Sequence, residues 1–209
     1  MSQVLNRLLE SGPPLREDAW SLGRPALESV LAEVDAGRHV VVECGSGLST
    51  ILIARRLREL DDGHVHSLEH DEGFSAACRR QLERESLTGL AEVIEAPLRP
   101  HPASGIGWYD RDALAMLPAA GVQLLLIDGP PAGTPELERS RYPALGELRP
   151  RLVPEAVVIC DDAPSGVDFG EHGLERRPSE GPRVLVQRGT GFEQAGESRR
   201  GHGTSLHFL

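Results

Sequence analysis

Acidic residues follow most of the strand-like stretches of this chain, and two glycines lie just after the first of these acids. Glu43 follows the β-branched run Val40–Val42 and precedes Gly45 and Gly47. Such a glycine turn lets backbone N–H groups approach a ligand closely, and the N-terminus of the following helix adds a positive dipole end. The acid before the turn would repel a pyrophosphate but suits a ligand with a cation or free hydroxyls. The segment therefore indicates a nucleoside cofactor with a cationic end.

A second acid, Glu69, ends the next strand-like stretch, about 20 residues after the glycine turn. A carboxylate at this spacing meets the ribose hydroxyls of a nucleoside bound on the turn. A surface acid or a helix cap beside Asp71 is the alternative interpretation. Dinucleotide-binding folds share this spacing but require G-x-G-x-x-G, and here Thr50 occupies the third glycine position. The sequence therefore disfavours a nicotinamide dehydrogenase.

Asp128 and the adjacent pair Asp161 and Asp162 follow two further apolar strand-like stretches. In an open parallel sheet, ligands bind beyond the carboxyl ends of the strands, at the switch in strand order. We therefore expect these carboxylates to face the same cleft as the glycine turn. Each acid alone is weak evidence, because polar residues at strand ends are common.

The elements that must position these acids alternate between strand and helix patterns, which indicates βαβ units and a mainly parallel sheet. The predicted strands cover residues 40–43, 64–69, 91–96, 122–128 and 156–161. The predicted helices cover residues 1–12, 25–36, 49–60, 71–86 and 111–117.

Five other segments are less regular. Residues 97–109 are predicted to be irregular, and a helix is predicted to begin at Thr134 and to be interrupted by Pro143. A mobile loop around a short helix is expected over residues 163–182. The last strand candidates are residues 183–187 and 204–209, and the pattern of 183–188 leaves strand and helix both open.

Taken in this order, the segments from about residue 25 to 165 resemble the class I S-adenosylmethionine-dependent methyltransferases. The string Glu43-Cys44-Gly45-Ser46-Gly47-Leu48-Ser49 is similar to the family's acid-x-G-x-G-x-(G/S) motif. The resemblance implies an α/β fold: a single Rossmann-like domain with a mostly parallel seven-stranded sheet, helices on both faces and an antiparallel C-terminal strand. It also implies that residues 1–37 form an N-terminal helical lid or substrate segment, and that residues 38–209 form the cofactor-binding core of one compact domain.

The resemblance implies S-adenosyl-L-methionine as the methyl donor, which is a sulfonium cation with an ammonium group and no phosphate. The glycine turn would receive its methionine part, and the acid before the turn would anchor that part through bound water or its amino group. Glu69 would grip both ribose hydroxyls, and the end of the third strand would border the adenine. The implied cofactor-binding residues are Glu43, Gly45, Ser46, Gly47, Ser49, Glu69, His70, Ala96, Pro97, Leu98 and Asp128.

A narrower resemblance to catechol-type and macrocin-type O-methyltransferases concerns a metal ion. It implies that Asp128, Asp161 and Asp162 bind Mg²⁺ or a similar divalent cation that positions the acceptor oxygen and lowers its pKa. Two alternatives need no metal. Asp161 or Asp162 could cap the following helix or hold a turn, and Asp128 could orient the amino end of the cofactor or bind a substrate amine.

The general base must be a residue other than lysine, because all 22 basic residues are arginine. Catechol-type enzymes place a lysine shortly after the fourth-strand aspartate, where this chain has Pro131. Candidate bases are His70, His101, His172 and Asp128 itself, with His172 and Asp128 predicted as the catalytic residues.

Several bulky side chains have two open interpretations. Trp20 and the pair Trp108 and Tyr109 could line a substrate pocket or close over it, or they could pack in the core or on the surface. Arg141 and the adjacent Tyr142 could meet the acceptor, although an ordinary helix surface is the simpler interpretation for Arg141. Arginines such as those at 55, 56 and 58 are expected on solvated helix faces.

Composition narrows the partners and the compartment. The net charge of −10 disfavours a broad phosphate-binding face, so we expect no nucleic-acid partner. No apolar run is long enough for a membrane span, so no membrane association is expected. The three cysteines form no C-x-x-C pair and indicate a reducing, cytoplasmic location. A small-molecule acceptor is expected because the core occupies most of the chain, and the exposed sheet edge allows a homodimer.

These observations favour a methyltransferase that acts on a small molecule, with O-methylation assisted by a divalent metal as the main hypothesis. One alternative is a metal-free N-methyltransferase acting on a small molecule or peptide, with Asp128 receiving a substrate ammonium. Another is a non-catalytic cofactor-binding protein on the same fold. The clustered carboxylates argue against the latter, since a retired site has no physical need for them.

Overall fold

A computed structural model describes residues 2–15, 20–132, 137, 139–161, 183–188 and 191–194 of the chain. Asp162 and His172 lie outside the described residues, as do the predicted helix start at Thr134, the segment 163–182 and the strand candidate 204–209.

The described residues form an alternating α/β chain. The helices are α1 (Ser2–Glu10), α2 (Arg24–Asp35), α3 (Leu48–Leu60), α4 (Glu72–Arg84), α5 (Arg111–Met116) and α6 (Pro143–Leu148), followed by a 3₁₀ turn at Arg149–Arg151. The strands are β1 (Val40–Cys44), β2 (His64–Glu69), β3 (Ala91–Glu95), β4 (Leu98–Pro100), β5 (Gly107–Tyr109), β6 (Val122–Ile127), β7 (Leu152–Cys160), β8 (Arg183–Arg188) and β9 (Gly191–Gln194).

Seven strands form one sheet in the order β3-β2-β1-β6-β7-β8-β9. Neighbours from β3 to β8 are parallel, and β9 pairs antiparallel with β8. The strand order reverses beside β1, because β1 pairs with β2 on one side and with β6 on the other. The predicted fold class is confirmed, and residues 183–188 form a strand.

Successive residues of the central strands point to opposite faces, and both faces are covered. Val41 belongs to the core that includes α1, α2 and α3, whereas the next residue, Val42, belongs to the core that includes α5 and α6. Cys44 and Cys160 are buried as small apolar side chains of the second core. This double burial explains why β1, β6 and the second half of β7 are predominantly apolar.

Two segments differ from the sequence predictions. Residues 98–100 and 107–109 are an antiparallel pair, β4 and β5, instead of an irregular stretch. The predicted helix interruption at Pro143 is instead a helix start, because proline lacks the N–H that the first helical turn leaves unpaired.

Strand β7 is longer than predicted and begins at Leu152. Its pairing with β6 shifts register between Val122 and Leu124, which places Pro154 in an irregular part of the ladder. Asp161 follows the last strand residue, and its N–H donates to the carbonyl of Ile127 at 3.0 Å.

A buried ion pair fixes the N-terminal segment to the core. The guanidinium of Arg55 on α3 binds both carboxylate oxygens of Glu85 at 2.7 Å and donates to the carbonyls of Leu8 and Pro13 at 2.6 and 2.9 Å. Arg55 is fully buried, so the prediction of a solvated helix face is wrong at this position. The interaction holds the end of α1 and the chain after it above α3.

No helix among the described residues has both the length and the apolar character needed to cross a membrane.

Candidate functional site

A cavity of about 570 Å³ lies at the carboxyl ends of β1, β2, β6 and β7. Its cofactor side, as we name it, consists of Gly45, Ser46, Gly47, Ser49, Glu69 and His70. Its far side consists of Asp128, Gly129, Arg141 and Asp161. A third wall combines the N-terminal residues Pro14, Leu15, Trp20, Ser21 and Leu22 with α4 residues Phe74, Ala77, Cys78 and Gln81.

The two glycines of the turn have different surroundings. Gly45 has a φ of +93°, a left-handed conformation that side chains disfavour. A Cβ at Gly45 would lie 3.3 Å from the backbone nitrogen of Gly129, because the turn packs directly against the chain after β6. At Gly47 a Cβ would meet nothing within 4 Å, so this part of the turn opens to the cavity.

Glu43 lies behind the turn and is fully buried, so it does not line the cavity. Its carboxylate accepts hydrogen bonds from the hydroxyls of Ser49, Thr50 and Ser67, the last two at 2.6 and 3.0 Å. Burial raises the pKa of Glu43 to about 7, although these hydrogen bonds oppose the shift. In this structure Glu43 fixes the turn to α3 and β2 and has no direct access to a ligand.

Glu69 faces the cavity and stays ionised. One carboxylate oxygen accepts from the N–H and hydroxyl of Ser46 at 2.8 and 3.0 Å, and the other accepts from the N–H of Asp71 at 2.9 Å. Burial would raise the pKa of Glu69, but the hydrogen bonds from His70, Asp71 and Ser46 outweigh it and lower the pKa. The carboxylate is therefore a fixed anion beside the glycine turn.

His70 lines the cavity next to this anion. Its Nδ1 lies 3.1 Å from a carboxylate oxygen of Glu69, and this hydrogen bond raises the pKa of His70 against the effect of burial. A raised pKa increases the fraction of His70 that is already protonated near neutral pH, so less of it is free to accept a proton. His101 pairs with Glu147 at 2.9 Å and does not line the cavity.

Arg141 holds the far side together. Its guanidinium donates to the carbonyl of Pro130 at 3.0 Å, to the carbonyl of Asp161 at 2.6 Å and to the carbonyl of Asp128. One of its nitrogens also lies 3.4 Å from the Asp128 carboxylate. A single cation thus joins the ends of β6 and β7, and the surface role expected for Arg141 is wrong.

The described part of the far side does not assemble three metal ligands. Asp128 and Asp161 both border the cavity, but a permanent guanidinium already lies beside the Asp128 carboxylate. Among the described residues, the one group of three converging ligand atoms lies elsewhere, on β2 and β3. The third predicted ligand, Asp162, lies outside the described residues, so metal binding by Asp128, Asp161 and Asp162 stays a prediction.

The aromatic residues near the site fall into two groups, one lining the third wall of the cavity and one packed in the core. Trp20 is 66% exposed and Phe74 is 43% exposed, and both line the cavity. Trp108 and Tyr109 are buried against each other in the core beneath the far side, with ring centroids 4.9 Å apart. Trp20 lines the cavity, so its role in a substrate pocket stays a prediction, whereas the Trp108 and Tyr109 pair follows the packing interpretation.

The Tyr109 hydroxyl is buried and has no hydrogen-bond partner within the described residues. A Cβ added to Gly129 would lie 2.5 Å from this hydroxyl, which therefore lies directly under the chain after β6. Burial raises the pKa of Tyr109, and the nearby carboxylates of Glu69 and Asp128 add to the rise. The hydroxyl is a neutral donor next to the residues that border the cavity.

Most, but not all, of the predicted cofactor residues converge. Ala96 is buried, Pro97 is exposed and Leu98 belongs to β4, and none of the three borders the cavity. Sequence reasoning missed Phe74 and Gln81 on α4 and undervalued Arg141. Phe74 follows the N-cap residue Asp71 within the first turn of α4, where a large exposed apolar residue is itself a signal.

Residues 42–163 match a family model described as a methyltransferase domain. That match begins within β1 and ends just beyond β7, so it includes the cofactor side and the far side. No curated protein matches the sequence.

Three solved structures share the fold at low identity. A methyltransferase from Geobacter sulfurreducens is 16% identical, with 91% of this chain and 85% of that chain covered at a TM-score of 0.52. A candidate O-methyltransferase from Klebsiella pneumoniae is 20% identical, with 85% and 68% covered at a TM-score of 0.51. A candidate caffeoyl-CoA O-methyltransferase from Staphylococcus aureus is 15% identical, with 82% and 68% covered at a TM-score of 0.51.

Proposed function

The chain belongs to the class I S-adenosylmethionine-dependent methyltransferase family, and from this premise we propose that it methylates a hydroxyl oxygen of a small, largely apolar acceptor. The proposal depends on one observation: the glycine turn, the ionised carboxylate of Glu69 and the third wall with its aromatic residues all line the same cavity.

The cofactor side suits S-adenosylmethionine for electrostatic reasons. Glu69 is a buried, ionised carboxylate at the end of β2, and its oxygens can accept hydrogen bonds from both ribose hydroxyls once Ser46 moves aside. The turn at Gly47 opens to the cavity and leaves room for the methionine part. A cationic sulfonium is attracted to a site lined by Glu69, Asp128 and Asp161.

The buried hydroxyl of Tyr109 lies beneath the glycine turn and has no hydrogen-bond partner among the described residues. Buried polar groups without a partner are rare in folded proteins, and each one requires an explanation. Tyr109 lies beneath Gly129, which packs on Gly45 of the turn. An ordered water between Tyr109 and this turn would supply the missing acceptor, since Tyr109 itself does not line the cavity.

The acceptor is assigned to the third wall. Trp20 and Phe74 offer flat apolar surface, with Leu15 and Leu22 beside them. Such a surface favours an aromatic or otherwise apolar small molecule over a polar polymer, in keeping with the net charge of −10.

Asp128 is the proposed proton acceptor for the attacking hydroxyl. It borders the cavity on the far side, and Arg141 fixes its backbone and lies beside its carboxylate. The chain's own contribution to the rate is then to position donor and acceptor in line, to exclude water and to receive the proton at Asp128. His172, the other catalytic residue predicted from the sequence, stays a prediction.

Metal assistance is a second candidate, favoured by the position of Asp128 and Asp161 on one cavity. Arg141 argues for the metal-free form, because it already supplies a cation at Asp128. Turnover before and after exhaustive chelation separates the two. Activity that needs added Mg²⁺ would establish a metal, and unchanged activity would exclude one.

The experiment that tests the main proposal has two parts. Calorimetry with S-adenosylmethionine and with NAD should give binding of the first alone, and NAD binding alone would overturn the assignment. A panel of phenols and aromatic amines, assayed for transfer of labelled methyl, should then give products methylated on oxygen. Products methylated only on nitrogen would support the metal-free N-methyltransferase, and binding without turnover across the panel would support a non-catalytic protein.

The variant Trp20→Ala tests whether the third wall binds the acceptor. The variant should raise KM for an aromatic acceptor several-fold and leave cofactor affinity unchanged, because Trp20 lies on the third wall. Met116→Ala is the matched control, since Met116 is similarly exposed but does not line the cavity. The expected cytoplasmic location and homodimer belong to the same proposal and are tested by fractionation and by sedimentation.

A further inference from the structure

We propose that His64, His66 and Glu92 form a binding site for a divalent transition-metal ion such as Zn²⁺, separate from the methyltransferase cavity. Each residue offers one ligand atom, and the three atoms lie within 4.8 Å of one another. The site is built on strands β2 and β3 and involves no residue of the cavity.

The backbone brings the three side chains to one face of the sheet. His64 and His66 are two positions apart on β2 and therefore point to the same side, with ring centroids 4.6 Å apart. Glu92 on β3 is the register partner of His66 in the parallel ladder, and its carboxylate lies 2.6 Å from His66 Nδ1. A rigid sheet thus holds the ligands in place before any ion binds, which lowers the cost of ordering them.

Comparison with two other histidine and carboxylate pairs shows what is unusual here. His39 binds Asp62 through Nδ1 and the carbonyl of Val34 through Nε2, so both ring nitrogens have protein partners. Both ring nitrogens of His101 likewise have protein partners, Glu147 at Nε2 and Ser104 at Nδ1. The cluster on β2 and β3 differs because a second imidazole faces the pair.

The second imidazole is also oriented for a ligand. His64 Nδ1 lies 3.3 Å from the carbonyl of Gly89, which can only accept a hydrogen bond. The proton must then reside on Nδ1, and the lone pair on Nε2 is left to bind an ion. A backbone carbonyl in this role is a common outer partner of metal-bound histidine.

Two imidazoles and one carboxylate form a donor set for borderline metals. Zn²⁺ binds imidazole nitrogen and carboxylate oxygen at about 2.0–2.2 Å, which places tetrahedral ligands roughly 3.4 Å apart. The present spread of up to 4.8 Å needs only small side-chain movements to reach that spacing. The Glu92 side chain is 44% exposed, so an ion and a completing water can enter from solvent. Mg²⁺ prefers oxygen ligands and should bind weakly.

The position defines what the ion would do. His64 is the first residue of β2 and Glu69 is the last, so the two ends are roughly 16 Å apart along the strand. Strand β3 lies at the end of the strand order, with β2 as its neighbour. A metal bound here joins an outer strand to the sheet and stabilises the fold without taking part in methyl transfer.

The test uses the full metal-free chain and Zn²⁺ itself. Calorimetry should give one ion bound at this site, and saturating Zn²⁺ should raise Tm by about 5 °C or more. His64→Gln removes one ligand but keeps the pair of His66 and Glu92, and it should weaken binding by about tenfold or more. Glu92→Gln, which alters an exposed side chain, should do the same and guards against a misfolded first variant.

His39→Gln and His101→Gln are the matched controls, because both ring nitrogens of each histidine already have protein partners, and they should bind Zn²⁺ as the unmodified chain does. Cobalt spectra add an independent readout, since Co²⁺ bound by two imidazoles gives visible absorption that His64→Gln should abolish. The proposal is overturned if the chain binds no Zn²⁺, or if His64→Gln and Glu92→Gln both retain the original affinity and Tm increase.

Discussion

The two sides of the cavity are stabilised by different hydrogen-bond networks. On the cofactor side, the buried carboxylate of Glu43 is shared among the hydroxyls of Ser49, Thr50 and Ser67. On the far side, the single guanidinium of Arg141 reaches three carbonyls and one carboxylate. The cofactor side keeps two of its hydroxyl donors when one is removed. The far side loses all of these hydrogen bonds at once when Arg141 is removed. Substitutions should therefore have graded effects on the first side and a concentrated effect on the second.

The largest effect is expected at Glu69, the one ionised carboxylate on the cofactor side. Glu69→Ala should lower the affinity for S-adenosylmethionine by about 100-fold or more, because no neighbouring group can replace two charge-assisted hydrogen bonds. Calorimetry measures the loss. Glu95→Ala is the control, since Glu95 also ends a strand but is exposed and paired with Arg79. Equal affinities for the two variants would contradict the role given to Glu69.

Arg141→Ala comes next and tests the far side. Losing several hydrogen bonds from a charged donor should destabilise the chain by about 3 kcal/mol and lower kcat at least tenfold, with a smaller change in cofactor affinity. Arg141→Lys should not restore activity, because an ammonium cannot reproduce the planar fork. Arg139→Ala, which removes only a contact over the Tyr142 ring, is the control. A fully active Arg141→Ala would show that the far side does not depend on one cation.

The third prediction concerns pH and Glu43. Its pKa is about 7 in the folded chain, against an ordinary value of 4.5, so the folded state retains the proton longer than the unfolded state does. The contribution of Glu43 to stability is therefore greatest below pH 4.5 and falls as the pH rises to about 7, by up to about 3 kcal/mol. Glu43→Gln should flatten this slope in denaturant unfolding measured across that range. The exposed Glu95→Gln should keep it, and an unchanged slope in Glu43→Gln would refute the prediction.

The smallest effect is expected from a single hydroxyl of the cofactor side. Ser49→Ala removes one of the three donors to Glu43 and should cost about 1–2 kcal/mol of unfolding free energy, with cofactor affinity nearly retained. Chemical denaturation and calorimetry measure the two quantities. If Ser49→Ala equalled Arg141→Ala in its cost, the contrast between the two hydrogen-bond networks would be wrong.

Sequence reasoning reached most of the architecture and part of the site. It predicted the five central strands, the glycine turn and the acids at the ends of β1, β2, β6 and β7, because these features are encoded in local sequence. It placed Glu43 among the ligand-binding residues, whereas the structure buries it behind the turn. It missed the antiparallel pair β4 and β5, whose short strands carry no periodicity that a local pattern could reveal.

The sequence by itself determined that a nucleoside-type turn, flanked by acids, ends the first strand of a parallel sheet. That information is local, since glycine, β-branched runs and strand-end acids act through their own backbone positions. Only the tertiary structure decided that Arg55 is buried while Trp20 is exposed, that Arg141 joins β6 to β7, and that two histidines of β2 face a carboxylate of β3. Each of these outcomes depends on which distant element packs against the residue, and periodicity within one segment carries no record of that.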